Sequence, residues 1–363
     1  MQGGCSQVER GQSKRIPSFP EIDPAQARVE RSTARAAIRF CGFFGLVVMA
    51  SVILHTVINS GLRCIKTSEF GAVNKAMTGK VSAEIVINGS SRASAHYDPR
   101  IIHRITGKSA YNLGRNGSQI DMQVAIFKAY LKHNVKPSLV MQNLDLFSFV
   151  VTREGGIYQP ALYMPYLYDD EIYQAVQRIN PDAWKWKYIP LYGYTVVDMR
   201  FTWISGLRGF FGWNPREDFY LGFNPRDTVW SGDFERYKAQ NPNGVRFEIE
   251  ARGVKALEEL IRLCSSEGIP IVLVYSPEYY EMQQLEINRP EILAKFREIS
   301  KRFDIPFWDY SDSEISRRRE FFQNSQHLNS LGADAFSKAL ARRLVADRFP
   351  GNPMALDDER PRK

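Results

Sequence analysis

The sequence predicts an α/β domain built on a parallel sheet and preceded by one membrane-spanning helix. Three features carry this reading. An uncharged apolar run lies near the amino terminus, short strand-like runs alternate with helix-periodic segments after it, and an aromatic-rich stretch interrupts the alternation.

Residues 1–35 hold Gly, Ser, Pro and mixed charge without an apolar period and read as a disordered head on the cytoplasmic side. The run Phe40–Ile58, FCGFFGLVVMASVILHTVI, contains no acidic residue, Lys or Arg and a single His. Its length matches the roughly 20 residues that cross a hydrocarbon core, so a transmembrane helix is expected over 36–60. A buried core helix would show a polar face, which the first part of this run lacks. A cleaved signal peptide would not follow so long a head. Arg63 directly before Cys64 does not fit a lipoprotein signal. Arg28, Arg31, Arg35 and Arg39 precede the span and Arg63, Lys66 and Lys75 follow it. That slight asymmetry favours a cytoplasmic head and an extracytoplasmic main domain.

Residues 61–80 read as a stalk, and 81–350 as the main domain. Strands are expected at Ala83–Ile87, Ser109–Leu113, Ser138–Leu144, Ile269–Tyr275 and within IPFWDY. Amphipathic helices are expected on Ile120, Val124, Phe127 and Leu131, and on Val254, Leu257, Leu260, Ile261 and Cys264. Two more fall on Ile292, Leu293, Phe296 and Ile299, and on Leu331, Phe336, Leu340 and Leu344. Strands separated by helices require parallel pairing with crossovers. Residues 151–249 form an insertion. Within it Tyr158–Tyr237 carries nearly half of the Phe, Trp and Tyr of the chain, with prolines and no clear period. Such a stretch suits a lid or substrate wall. Core packing is the commoner use of clustered aromatics, and stacking on sugar faces the alternative. NPRED at Asn214 and NPRDT at Asn224 repeat a unit in which Asn suits a helix cap and Pro the first turn. Residues 351–363 read as a disordered tail.

The net charge of +8 is spread over the head and tail and gives no stripe for nucleic acid. Hydrophobic residues at 44% suffice for a large core. The four cysteines form no disulfide framework. Cys64 and Cys264 could bridge only if the fold joins them, free thiols being the alternative. No His/Cys spacing suits a metal, and no cofactor is expected.

Two stretches carry chemistry. In EIVINGSSRAS, Glu84–Ser94, a β-branched run stops at Gly-Ser-Ser before a helix-tolerant segment. That is either a polar turn or a serine held at a strand-to-helix elbow. In QNSQHLNSLGADAFSKAL, Gln323–Leu340, a His-Leu-Asn precedes Gly-Ala and a helix. Together they resemble the SGNH/GDSL hydrolase superfamily, in the form of its membrane-tethered branch of DltD-like and polysaccharide O-acetylation proteins. The resemblance covers about 82–150 and 250–345 and omits the aromatic insertion. It implies a three-layer, flavodoxin-like (SGNH hydrolase) sheet. By register it makes Ser91 the nucleophile and His327 its base, and puts Gly117 of YNLGRNGSQ and Asn143 at the oxyanion. Such an oxyanion site includes the serine's own N–H, and losing one donor typically costs about 2.7–4 kcal/mol of transition-state stabilisation.

Two departures stand out. The Asp that precedes the histidine by three in the family is Asn324 here. An amide orients an imidazole but does not stabilise its cation, and in a serine protease Asp-to-Asn lowers turnover by about 10⁴. Asp309 or Asp312 could substitute, although turn formation is their commoner use. In SLVMQNLDLFSF either Asn143 or Asp145 could serve the third block, with Asn143 favoured. Arg92, next to the serine, would bind an anionic substrate or pair with Asp98. His96, His103 and His133 are expected in surface or capping roles. The expected function is a membrane-anchored extracytoplasmic serine esterase or O-acyltransferase acting through an acyl-serine on an envelope glycan. Its partners would be an acylated carbohydrate or other ester and, as in the relatives, a membrane-bound acyltransferase. The alternatives are a non-catalytic relative that binds glycan or supports such an acyltransferase, and a lipase that acts on lipid.

Overall fold

The computed structural model describes residues 24–349, apart from 152–155, 215–218 and 229. The tail and the first part of the expected head lie outside the described residues. The chain divides into two units after Ser51. The first is the amino-terminal part of one long helix, Pro24–Cys64, and the second is everything from Val52 onward. The helix begins inside the stretch expected to be disordered, with Pro24 in its first turn and Ala, Arg and Glu, all good helix formers, behind it. Its segment Arg31–Cys64 is long and apolar enough to cross a membrane, with mean hydropathy 2.2.

The second unit is an α/β fold on a five-stranded, all-parallel sheet. The strands are β1 (Ile85–Asn88), β2 (Ala110–Asn112), β3 (Leu139–Leu144), β4 (Ile271–Tyr275) and β5 (Phe307–Asp309), in the order β2-β1-β3-β4-β5. Every residue of β1 to β4 is buried, as expected of a sheet covered on both faces. Alternate side chains of β4 serve the two covers. Ile271, Leu273 and Tyr275 pack with the helices Ile120–His133, Ala251–Ser266 and Arg289–Phe303. Val272 and Val274 pack with Pro99–Thr106 and Ser330–Ala346. Fully burying one such aliphatic side chain is worth about 1.5–3 kcal/mol. On the last helix Phe336, Leu340 and Leu344 face this core, but Leu331 is exposed.

The order reverses between β1 and β3. That switch point, at the carboxyl ends of parallel strands, is where such sheets form their sites.

Residues 61–80 are not a stalk. They contain the helix Ser68–Met77, whose Val73, Ala76 and Met77 are buried. Asn74 holds it in place by donating from Nδ2 to the carbonyls of Leu62 and Ile65, both at 2.8 Å, which satisfies the end of the long helix. Nor is the insertion irregular. Among its described residues lie helices at Asp170–Ile179, Ala183–Tyr188, Met199–Phe210 and Asp233–Gln240. The first three join the cluster on the outer face of Ile120–His133 that buries Met122, Ile126 and Ala129, whereas Phe234 of the fourth packs in the core on the other face of the sheet. No helix starts at Asn224, so the capping account fails there, and the residues after Asn214 lie outside the described set. Cys41, Cys64 and Cys264 are free. Cys64 is exposed and Cys264 buried on the Ala251–Ser266 helix, where burial raises its thiol pKa to about 12.

Candidate active site

β1 ends at Asn88 and the chain turns sharply. Gly89 has φ +152°, and a Cβ there would lie 2.7 Å from Ala93 Cβ and 2.9 Å from Asn143 Cβ. Only glycine fits between the new helix and β3. Ser90 is the N-cap, its Oγ accepting from Arg92 N at 3.3 Å, and the helix Ser91–His96 follows. The carbonyls of Ala93 and Tyr97 receive Asn112 Nδ2 at 2.8 and 3.0 Å, so β2 fixes the far end of this short helix. Ser91 is thus the first residue of a helix held between two strands.

The second piece is the loop before the last helix. Phe322 and Leu328 bridge across it, and Gln323 N donates to His327 O at 2.9 Å. Asn324 Oδ1 sits inside the loop and accepts three hydrogens, from Gln326 N (3.0 Å), His327 N (2.9 Å) and His327 Nδ1 (3.0 Å). His327 Nε2 lies 2.8 Å from Ser91 Oγ. An amide oxygen only accepts, so the proton belongs on Nδ1, which leaves Nε2 bare to take the serine proton. Desolvation, with the charges of Arg226 and Arg92 adding to it, pushes the pKa of His327 down to about 3. The imidazole is therefore neutral near pH 7, but a weaker base than an ordinary histidine near 6.5.

The candidate substitute carboxylates are otherwise engaged. Asp309 accepts from Ser311 N and Oγ, in a turn, and from Arg297, while Asp312 pairs with Arg317. The partner of His327 Nδ1 is the Asn324 amide.

Arg92 does not pair with Asp98, nor is it open to a substrate. It is 2% exposed, stacks over Tyr275 at 4.6 Å, donates to the carbonyls of Ser276 and Pro277, and lies 3.5 Å from Asp145. It braces β3 to β4. Asp98 instead caps the helix Pro99–Thr106 and pairs with Arg100 and Tyr220. Asn143 lies within β3, wholly buried. Its Oδ1 accepts from Tyr97 OH at 2.7 Å, and its Nδ2 is directed at Asp145 Oδ1 (3.2 Å) and Leu144 O (3.4 Å). Both amide hydrogens point at internal partners, so the donor role expected of it is not what its contacts provide. Burial raises the pKa of Asp145 despite the nearby Arg92.

Gly117 follows β2 in a left-handed conformation, φ +58°. The glycine that meets the serine helix is Gly114, where a Cβ would collide with Ser94 N and lie 2.7 Å from Ala93 Cβ. The N–H groups of Gly114, Arg115 and Asn116 donate to Asn112 Oδ1, Gly89 O and Glu69 Oε1.

Two further residues hold the site together, and neither was expected to. His96 is buried rather than a surface or capping residue. Its Nε2 accepts from Leu328 N at 3.0 Å and its Nδ1 lies 3.0 Å from Ser276 Oγ, so the serine helix grips the histidine loop. Its place on the helix that carries Ser91, five residues on, was the available signal. Arg226 lies in a segment that laces the two halves together. Asn224 N donates to Ser94 O and Ser330 N to Arg226 O, both at 2.9 Å, and Ser231 N donates to Gln323 O at 2.8 Å. Arg226 Nη2 donates to Asn116 Oδ1 at 2.9 Å. His103 and His133 are exposed, as expected. A concavity of about 150 Å³, lined by Phe234, Tyr237 and Ser325, borders Asn324.

No protein-family model and no curated protein matches the chain. Among solved structures it is similar to a candidate lipolytic protein of the G-D-S-L family from Desulfitobacterium hafniense, at 11% identity and TM-score 0.36 over 71% of this chain and 97% of that one. It is likewise similar to a candidate platelet activating factor from Streptococcus pneumonia, at 12% identity and TM-score 0.39 over 85% and 99%. A candidate acylhydrolase from Bacteroides fragilis gives 10% and 0.34 over 72% and 86%.

Proposed function

We propose that the protein is a membrane-anchored serine esterase or O-acyltransferase. Ser91 attacks an ester carbonyl while His327 Nε2 takes its proton, the ester C–O bond breaks and the alcohol leaves with that proton. The acyl group on Ser91 then passes to water or to a sugar hydroxyl, whose proton returns through His327 to the serine. The observation that carries this reading is the chain of contacts from Ser91 Oγ to His327 Nε2 (2.8 Å) and from His327 Nδ1 to Asn324 Oδ1 (3.0 Å). Both distances fall within the reach that proton transfer needs. Asn324 acts as the orienting group. The Ser91 N–H, at the first residue of its helix, is the proposed oxyanion donor.

The apolar helix supports a single span, and the slight excess of Arg before it over the basic residues after it favours a main domain outside the cytoplasm. An envelope glycan bearing acyl esters is the substrate class that suits that position. A membrane-bound acyltransferase would be the acyl donor's source if transfer outweighs hydrolysis. The experiment is labelling of the folded full chain with a fluorophosphonate, beside hydrolysis of p-nitrophenyl acetate. Wild type should label and hydrolyse, and Ser91→Ala should do neither. A Ser91→Ala protein with wild-type hydrolysis sinks the reading.

A second reading is a non-catalytic binder of glycan. One observation favours it: Asn324 gives no carboxylate to an imidazole already held near pKa 3. Wild-type protein that stays unlabelled while folded would select it.

A further inference from the structure

The part of the insertion from 183 to 213 gathers around the end of the long helix. Leu191 N donates to His55 Nδ1 at 3.2 Å, Tyr194 OH donates to Asn59 Oδ1, and Asn59 Nδ2 lies 2.8 Å from His55 Nε2. The helix Met199–Phe210 packs directly on residues 58–65. A Cβ on Gly61 would overlap Gly206 O, one on Gly206 would lie 2.9 Å from Ile58, and one on Gly209 would lie 3.0 Å from Ile65. Small residues let two backbones approach this closely, as they do between helices in membranes.

What this helix shows to the outside is unusual. Thr202, Gly206 and Gly209 face inward. Phe201 (63% exposed), Ile204 (48%) and Phe210 (49%) face outward, and Phe211 and Trp213 (68% each) extend the same patch. Arg200 and Arg208 are exposed beside them. A water-facing helix of a soluble domain carries the opposite arrangement, and an apolar patch of this kind marks a binding surface.

We infer that the helix Met199–Phe210, with Phe211 and Trp213, lies in the headgroup–acyl boundary of a phospholipid bilayer, as a second and non-spanning contact beside the long helix. The inference rests on the reading of Phe40–Ile58 as a span. Three observations select lipid as the occupant. The helix that carries the patch packs by its glycine face on Ile58, where the uncharged run ends. His55 and Asn59, costly polar groups at that depth, have their partners in this collar. Exposed Phe and Trp with flanking Arg is the composition of an interfacial helix. The aromatic segment then serves two surfaces, with the helix Met199–Phe210 on the membrane side and residues 220–228 beside the site. The domain is held at a fixed height above the lipid.

The test uses the full chain in nanodiscs of phosphatidylethanolamine and phosphatidylglycerol. A benzophenone side chain replaces Phe201, Ile204 or Phe211 in turn. Val48, inside the apolar run, and Ile287, an exposed apolar residue outside the patch, are replaced as references. After illumination, lipid adducts are counted by mass spectrometry. Adducts are expected at Val48 and at all three patch positions, at least tenfold above Ile287. Adducts at Val48 with patch positions at the Ile287 level overturn the inference and leave the span standing. An absence of adducts at Val48 overturns the span, and the inference with it. Crosslinks from the patch to a second copy, or to another protein in native membranes in place of lipid, also overturn it.

Discussion

Replacing Asn324 by Asp places a carboxylate on a loop already shaped for one. Asn324 Oδ1 accepts two backbone N–H groups and His327 Nδ1, all at 2.9–3.0 Å, and a carboxylate oxygen accepts the same three. The change adds a charge without altering the geometry. With charge centres about 4 Å apart and an effective dielectric near 20, the attraction between carboxylate and imidazolium is about 4 kcal/mol. At 1.36 kcal/mol per unit this raises the imidazole by about 3 units, from about 3 to the region of an ordinary histidine. If the imidazolium forms in the transition state, the same energy is worth up to about 10³ in rate. That is less than the 10⁴ lost when a protease exchanges Asp for Asn, because part of that loss is the wrong tautomer, and here the amide oxygen already sets the right one. The assay is kcat/KM for p-nitrophenyl acetate against pH. Asn324→Asp should raise the plateau by about 10²–10³ and move its acid limb up by about 3 units. A folded Asn324→Asp variant with an unchanged or lower plateau refutes the argument, since no cation would then form on His327 during the reaction.

Three other changes follow from the same structure. Arg92→Met strips the buried Asp145 of its cation and two carbonyls of their donor, and should cost about 3–5 kcal/mol in urea unfolding. A substrate anchor would instead raise KM at unchanged stability. Gly114→Ala drives a methyl into Ser94 N and Ala93, and should cost about 1–3 kcal/mol while slowing fluorophosphonate labelling by displacing the helix that carries Ser91. Labelling at the wild-type rate would show that the contact relaxes freely. His327 is neutral when folded down to about pH 3 but protonates near 6.5 when unfolded, so between these values the unfolded chain holds the extra proton. Its share of stability is complete above about pH 6.5 and is lost as pH falls toward 3. The melting temperature of His327→Gln should fall less steeply than that of wild type over this window, and parallel curves would contradict it.

The sheet was legible because its strands are continuous apolar runs between turn residues. IVLVY, Ile271–Tyr275, can only be buried on both faces. Ser91 and His327 were legible only as a pair, through the family resemblance that NGSSRA and the HLN run carry together, since either stretch alone also reads as a polar turn or a capping histidine. What escaped is what depends on contacts between distant segments. NLGRNG offers two glycines, and nothing local says that Gly114 rather than Gly117 meets the serine helix. The charge of Arg92 suggested a ligand, whereas its partners are carbonyls far along the chain. Asn143 has the right chemistry, but its position inside β3 turns it toward Tyr97 and Asp145. Residues 61–80 lack a strong period because Asn74 and Glu69, both polar, are buried by specific bonds rather than by apolar contact. Residues 220–228 have no period because they open in a tight turn closed by Tyr220 and Phe223 and are then held by backbone bonds to distant segments.

The hydroxyl and the imidazole that meet at 2.8 Å are separated by 236 positions in the chain. During synthesis the serine emerges early, behind the apolar helix, and has no base beside it until nearly all of the polypeptide has followed. Contacts between segments so distant in sequence slow folding, and this one joins halves that the lacing segment also clasps. On the proposed chemistry, a ribosome-bound or carboxyl-terminally clipped chain would therefore be inert toward esters even when its sheet is mostly formed. In the proposed enzyme, reactivity is switched on once, by the arrival of the last helix.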